Sequence, residues 1–393
     1  MMPVIFRIPL INWYVPGYGL ALTLGFLLSV VWAVRRAVKS GANPDVVLNC
    51  AFIALVGGVV GSRIMYVAHF WDQFSYRGNW LSILMAILDV RQGGLVVYGG
   101  FLAAMVGILI YLGFWRHSIR WYLDILAPST ALGMGLGRIG CFLNGCCWGA
   151  PSDLPWAVRF PFGSNAAIQQ WHDGVPGAEL PKELIYLPPG GIGVDGQAAE
   201  PLPRELLWVR AADVEKVGEL YTRHARAKTD AERAAIERQY ARIGCCLPNA
   251  ANLTSIYLAM KTHGLSLEEL RRLARQFPSQ PVHPVQLYST VALVLLAMLL
   301  NAAYWRRTRD GQIACTLLMV EPWSRFVLEF IRVDEAPVLG PLTWSQVLAL
   351  PISVVGLMGL LALRWLPPRS PRARLWEPSP PAGKPPRLAR APT

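Results

Sequence analysis

Long apolar runs separated by short polar breaks organise this chain. Residues 17–34, 46–62, 92–115, 284–305 and 343–363 hold no charged side chain. A helix needs about 20 mostly apolar residues to cross a hydrocarbon core about 30 Å thick, so each run predicts a membrane span. Two further apolar runs are interrupted by charge: 121–148 by Asp124 and Arg138, and 313–331 by Glu321, Arg325 and Glu329. The expected fold is therefore an all-α polytopic membrane protein of about seven transmembrane helices. Residues 81–88 are apolar but too short to cross, and are expected to lie at the interface.

A polar stretch separates the fourth and fifth spans. It has a Gly- and Pro-rich run at 187–196, helix formers over 211–243, and Ser266 and Glu269 spaced as a capping box for a helix running toward Phe277. The expected division is 1–150 for spans one to four, 151–282 for an α-rich insertion, 283–366 for spans five to seven, and 367–393 for a basic tail. The tail is rich in Pro and Arg, which predicts disorder near anionic lipid.

Composition agrees with the pattern, since 53% of residues are hydrophobic and only 16% charged. The net charge of +12 is not arranged as a nucleic-acid surface. Basic clusters follow the first span (Arg35, Arg36, Lys39), the third (Arg116, Arg120), the fifth (Arg306, Arg307, Arg309) and the seventh (Arg364, Arg369, Arg372, Arg374). With seven spans they share one side, which the positive-inside rule makes cytoplasmic. The N-terminus and the insertion then lie outside and the C-terminus inside. Arg7 is followed by only a short apolar stretch before Pro16 and Gly17, so no cleavable signal is read there.

Cys50 and Cys315 fall within spans, and the other cysteines come as Cys141, Cys146, Cys147 and the pair Cys245, Cys246. None has zinc-repeat spacing, so no metal is expected. Cys146 or Cys147 either pairs with Cys245 or Cys246, all on the oxidising side in this topology, or stays a buried thiol.

Ionisable side chains inside a span cost a few kcal/mol each, so they face a polar cavity or a partner. Arg325, Glu329 and Arg332 are four and three residues apart, which places them on one helix face. Glu329 either bridges the two arginines structurally or joins them in handling a ligand. Arg138 lies in GLGRIGCFLNGCCWG, whose glycines admit a close backbone or ligand, together with Asn144. A guanidinium fork suits phosphate, so Arg138 and Arg325 together point to an anionic ligand in the bilayer, a phospholipid headgroup.

These segments resemble a known family. GRIGCFLNGCCWG followed by SDLPWAVRFP, then HPVQLYS from His283, then SRFVLEFIR from Ser324, are similar in order to the signature segments of the prolipoprotein diacylglyceryl transferases. GYGL at Gly17, GSRIMYV at Gly61 and GGLVVYGG at Gly93 resemble that family's early helices. The resemblance implies a seven-helix inner-membrane enzyme without metal or soluble cofactor. It would move a diacylglyceryl group from phosphatidylglycerol to the lipobox cysteine of a prolipoprotein, releasing glycerol phosphate. It also implies a phosphate-binding role for Arg138 and Arg325 and supporting roles for Tyr18, Asn144, Glu329 and Arg332.

This chain departs from the family in having Tyr98 where a histidine is common, Cys141 where asparagine is frequent, Cys146 where an acidic residue is, and a far longer insertion. Sulfur attacks as thiolate, so either a base or a positive field must favour the anion. His283 and Tyr98 are the candidate bases. His283 is equally suited to a loop or cap role before Pro284, and Tyr98 to orienting substrate, because a phenol titrates near 10. His69 reads as interfacial. The competing classes are a transporter or lipid-moving protein for an anion, against which the ordered motifs and the lack of related halves speak, and a scaffold, which leaves Arg138 and Arg325 without a task. Reporter fusions test the topology: a fusion after Arg309 should read cytoplasmic and one within 211–243 periplasmic, and the reverse at either point overturns it.

Overall fold

The computed structural model describes residues 4–8, 13–75, 79–88, 94, 96–186, 199–227, 229–244, 250–333 and 337–376. The chain is mostly helical there: α1 (Gly17–Lys39), α2 (Pro44–His69), α3 (Asp72–Ser75), α4 (Trp80–Leu88), α5 (Val97–Phe114), α6 (Ile119–Asn144), α7 (Asn165–His172), α8 (Ala211–Arg226), α9 (Asp230–Gly244), α10 (Ala250–His263), α11 (Leu267–Ala274), α12 (Val285–Arg306), α13 (Gln312–Glu329) and α14 (Trp344–Ala362). Three antiparallel strand pairs accompany them, the first joining Val4–Ile8 to Trp13–Pro16.

Each of the seven apolar runs contains one long helix. Five of these, α1, α2, α6, α12 and α14, are long and apolar enough to cross a membrane. α5 is apolar but shorter, and α13 carries Glu321, Arg325 and Glu329. α4 buries none of its residues, in keeping with a segment that does not cross.

Contacts divide the chain into two units, one of residues 1–26, 132–295 and 321–353, the other of residues 27–131, 296–320 and 354–393. In the second unit Phe52, Ile64, Leu102, Ile110, Leu299 and Met358 are each more than 60% exposed, an apolar surface suited to lipid rather than water. There α2 and α5 pack through small residues. A Cβ on Gly61 would stand 2.5 Å from the Gly99 carbonyl oxygen, and one on Gly100 would stand 2.5 Å from that of Gly58. Only glycine allows backbones that close, the usual device of helices packed in lipid.

The charges of this unit are given partners. Asp124, fully buried on α6, accepts from the N–H groups of Gly311 at 2.8 Å and Ala314 at 2.9 Å, which are donors left over at the start of α13. Arg307 Nε lies 3.4 Å from the same carboxylate. Arg36 donates to Asn301 Oδ1 from Nε at 3.0 Å and Nη2 at 2.9 Å, and from Nη1 to the Ile125 carbonyl at 2.7 Å. Arg36 is thus a buried and Arg307 a partly buried helix-joining group, so two residues of the basic clusters have partners within the protein. Arg63 of the GSRIMYV segment donates to the carbonyls of Ala86, Ile87 and Gly94, closing the end of α4 and fixing the approach to α5. Part of the tail is also anchored. The Pro368 carbonyl accepts from Asp310 N–H at 2.8 Å and Trp376 N–H donates to the Gly41 carbonyl at 2.8 Å, while residues 377–393 lie outside the described residues.

In the first unit the insertion has its own apolar core of Phe162, Leu184, Leu202, Leu206, Val214, Val217, Leu253, Ile256 and Leu270. Ser266 and Glu269 form the expected capping box on α11, whereas the helical run from 211 breaks into α8 and α9 at Ala227, whose backbone is extended. The two ends of the insertion lie side by side: Val158 and Val282 exchange N–H···O bonds of 3.0 and 3.1 Å. Beside them Ala150 N–H donates to the Ile331 carbonyl at 2.7 Å, tying the base of the insertion to the end of α13.

Removing Asp124 strands two helix-terminal N–H groups and a partly buried guanidinium at once. Asp124→Ala should lower unfolding stability in detergent by about 3 to 5 kcal/mol, the usual cost of breaking a buried pair. A loss below about 1 kcal/mol would contradict the assignment.

Candidate functional site

The cleft of interest lies within the first unit. Arg138 from α6, Cys147 from the turn after it, Val285, Gln286, Ser289 and Leu293 from α12, and Glu321, Ser324, Arg325, Leu328, Glu329 and Arg332 from α13 and its end line it. The glycines around Arg138 explain how α6 reaches this position. Gly135 faces Leu293 and the Thr290 carbonyl of α12, with Thr290 Oγ1 donating to the Gly135 carbonyl at 3.1 Å, while Gly140 faces Tyr18 of α1. Larger residues at either point would push α6 off its neighbours.

Three arginines against two glutamates leave the cleft net positive if all are ionised, a setting for an anion. The residues differ in how far they are engaged. Glu329, only 3% exposed, accepts from Arg332 Nη1 at 3.1 Å. Arg325 Nη2 donates to the buried Ser345 hydroxyl at 2.7 Å, which braces its guanidinium from the start of α14. Arg138 has no hydrogen bond or ion pair among the described residues, although it is partly buried and lines the same wall. A half-buried guanidinium without a hydrogen bond keeps donors to offer a ligand, although the Glu321 carboxyl of the same cleft interacts with its charge.

Sequence reasoning thus brings Arg138, Arg325, Glu329 and Arg332 to one cleft. Tyr18 packs on Gly140 beside it but does not line it. Asn144 turns away: its Oδ1 accepts from Arg204 Nη1 of the insertion at 3.0 Å. His283 is also outside the lining. Its Nδ1 stands 3.3 Å from the Tyr288 hydroxyl, which accepts from Trp156 Nε1 at 2.8 Å, and its backbone pairs with Gly149 and Ala150. Tyr98 belongs to the other unit, on α5, and is 43% exposed. Cys245 and Cys246 lie outside the described residues, while Cys146 and Cys147 are free thiols.

The sequence reading named Glu321 only as a charge within a span and Cys147 only as a thiol that pairs or stays buried, and it did not single out Gln286. Glu321 is one turn before Arg325 on α13, a spacing that was a legible signal. Gln286, 1% exposed, donates from Nε2 to the Cys146 carbonyl at 2.7 Å and so holds the turn against α12. Nothing in spacing reveals that contact.

The family model of prolipoprotein diacylglyceryl transferase matches residues 3–362. Among curated relatives, the phosphatidylglycerol–prolipoprotein diacylglyceryl transferase of Rhodopirellula baltica is 39% identical over 163 residues, covering 41% of this chain and 32% of that protein. The same-named proteins of Clostridium tetani and Pseudoalteromonas translucida are 34% and 36% identical, over 41% and 42% of this chain and 61% and 60% of their own lengths. The matched stretches thus span from a third to three fifths of these relatives. With the family model covering nearly all of the residues that build the helices and the cleft, the chain belongs to the prolipoprotein diacylglyceryl transferase family.

Proposed function

We propose that this protein transfers the diacylglyceryl group of phosphatidylglycerol to the thiol of a lipobox cysteine in prolipoprotein signal peptides, releasing glycerol phosphate. The observation that carries the proposal is Arg138, a partly buried guanidinium with no hydrogen bond or ion pair among the described residues, sharing a cleft with Arg325 and Arg332. The names of the relatives point to the same lipid and acceptor.

In chemical terms, sulfur forms a bond to the glycerol carbon as the carbon–oxygen bond to phosphate breaks, and the bonding pair leaves with the phosphate. Negative charge gathers on that leaving group. Arg138 supplies a forked donor to it, and Arg325 a second, braced by Ser345 so that little reorganisation is needed. Arg332 adds positive field while Glu329 fixes its orientation. Tyr18, Asn144 and Tyr98 keep supporting roles, Asn144 by docking the insertion through Arg204 and Tyr98 by orienting substrate. His283 orders the loop at Gly149 rather than taking the proton. The setting is the bacterial inner membrane, with seven spans, membrane lipids around them, the N-terminus and the 151–282 insertion outside and the 367–393 tail inside.

Diacylglyceryl transfer from labelled phosphatidylglycerol to a lipobox peptide tests this directly. Arg138→Lys and Arg325→Lys keep the charge but lose the planar fork, so each inserted variant should fall roughly a hundredfold to a thousandfold, or about 3 to 4 kcal/mol. His283→Ala should fall much less. Near wild-type transfer by both lysine variants would sink the phosphate-clamp reading, and loss of transfer in Tyr98→Phe would move the base to the phenol.

A further inference from the structure

Gln286 is the most buried polar side chain lining the cleft, at 1% exposure. Its amide is held in one sense. Nε2 donates to the Cys146 carbonyl at 2.7 Å, and because a carbonyl oxygen only accepts, reversing the amide would set oxygen against oxygen. Of the two amide atoms only Oε1 is therefore uncommitted. It is buried and has no hydrogen-bond partner among the described residues. A buried acceptor left without a donor destabilises a fold, so its presence in a cleft calls for a ligand that brings the donor.

Two hydroxyls line the same cleft. Ser289 follows Gln286 by three residues on α12, which puts both on one helix face, and Ser324 precedes Arg325 on α13. Neither serine side chain has a hydrogen bond among the described residues. The cleft thus combines two chemistries. The guanidinium groups of Arg138 and Arg325 call for acceptors, which phosphate oxygens supply, whereas Gln286 Oε1 repels those oxygens and calls for a donor. An ammonium donor is disfavoured where three arginines face two glutamates. The ligand that meets both demands is an anion carrying a neutral hydroxyl.

We propose that Gln286 is a specificity-determining residue that accepts a hydrogen bond from a hydroxyl of the lipid's glycerol headgroup, with Ser289 and Ser324 completing a polyol subsite beside the phosphate-binding arginines. The inference rests on the transferase reading for its substrate and deepens it. The arginines can take any phosphodiester, while Gln286 selects phosphatidylglycerol from lipids whose headgroup has no hydroxyl. The contact is to the departing half of the lipid and includes no covalent step: the hydroxyl keeps its proton and leaves with the glycerol phosphate.

Phosphatidylethanol has the same phosphodiester and a headgroup without a hydroxyl, so it is the comparison lipid. Binding to the purified full-length protein, by competition with labelled phosphatidylglycerol in neutral detergent, is measured beside transfer to a lipobox peptide. The unmodified chain should prefer phosphatidylglycerol about tenfold or more, and Gln286→Leu should bring the preference to within about twofold. Gln286→Glu keeps an acceptor and loses the donor to Cys146, so the preference should persist. A role confined to holding the turn would instead weaken both lipids together and leave their ratio unchanged in Gln286→Leu, which would overturn the subsite. Equal binding of the two lipids by the unmodified chain, or phosphatidylethanolamine bound as tightly as phosphatidylglycerol, would also overturn it, and neither result depends on a variant folding. A Gln286→Leu defect confined to the KM for the peptide would assign Oε1 to the acceptor thiol and overturn it too. A Gln286-dependent binding preference without transfer would count against the transferase reading alone, and transfer with a preference indifferent to Gln286 against the subsite alone.

Discussion

A charge inside a helix packed in lipid must be given a partner, and the rest of this structure follows from how each one is treated. Asp124 receives two helix-terminal N–H groups and Arg307, Arg36 receives Asn301 and a carbonyl, and Arg63 receives three carbonyls. These groups act as fasteners between segments. Their cost of burial is offset by bonds that water would otherwise make. Arg138 is treated differently. It stands in the cleft with Glu321, Arg325, Glu329 and Arg332 without a hydrogen bond, and the glycines around it let neighbouring helices come close.

The turn after α6 links the architecture to the chemistry. It carries the end of the Arg138 helix, one wall of the cleft through Cys147, and the beginning of the insertion. Gln286 holds it from α12, Arg204 holds Asn144 just before it, and Ala150 is bonded to the end of α13 just after it. A long insertion anchored at both of its ends beside this turn bears on the cleft geometry without lining the cleft.

Much of this was legible in the sequence, because apolar length, intramembrane charge and glycine each have a direct physical meaning. The helices fall on the apolar runs, Ser266 caps its helix with Glu269, and Arg138, Arg325, Glu329 and Arg332 share one cleft. What the sequence did not show lies in contacts between residues far apart in the chain. Arg36 and Arg307 read as flanking charges, and the structure places Asn301 and Asp124 beside them, as it places Arg204 of the insertion on Asn144. His283 meets Tyr288, which Trp156 also reaches, and the turn after α6 has left-handed residues that no spacing rule specifies.

The central claim is that the cleft holds a lipid phosphate. A structure of the full chain in a bilayer disc of phosphatidylglycerol tests it most directly. The account predicts phosphate oxygens within about 2.7–3.2 Å of the guanidinium nitrogens of both Arg138 and Arg325, with Arg332 still on Glu329. A headgroup bound elsewhere, with the cleft filled by an acyl chain or closed by a new partner for Arg138 from the protein itself, would contradict it.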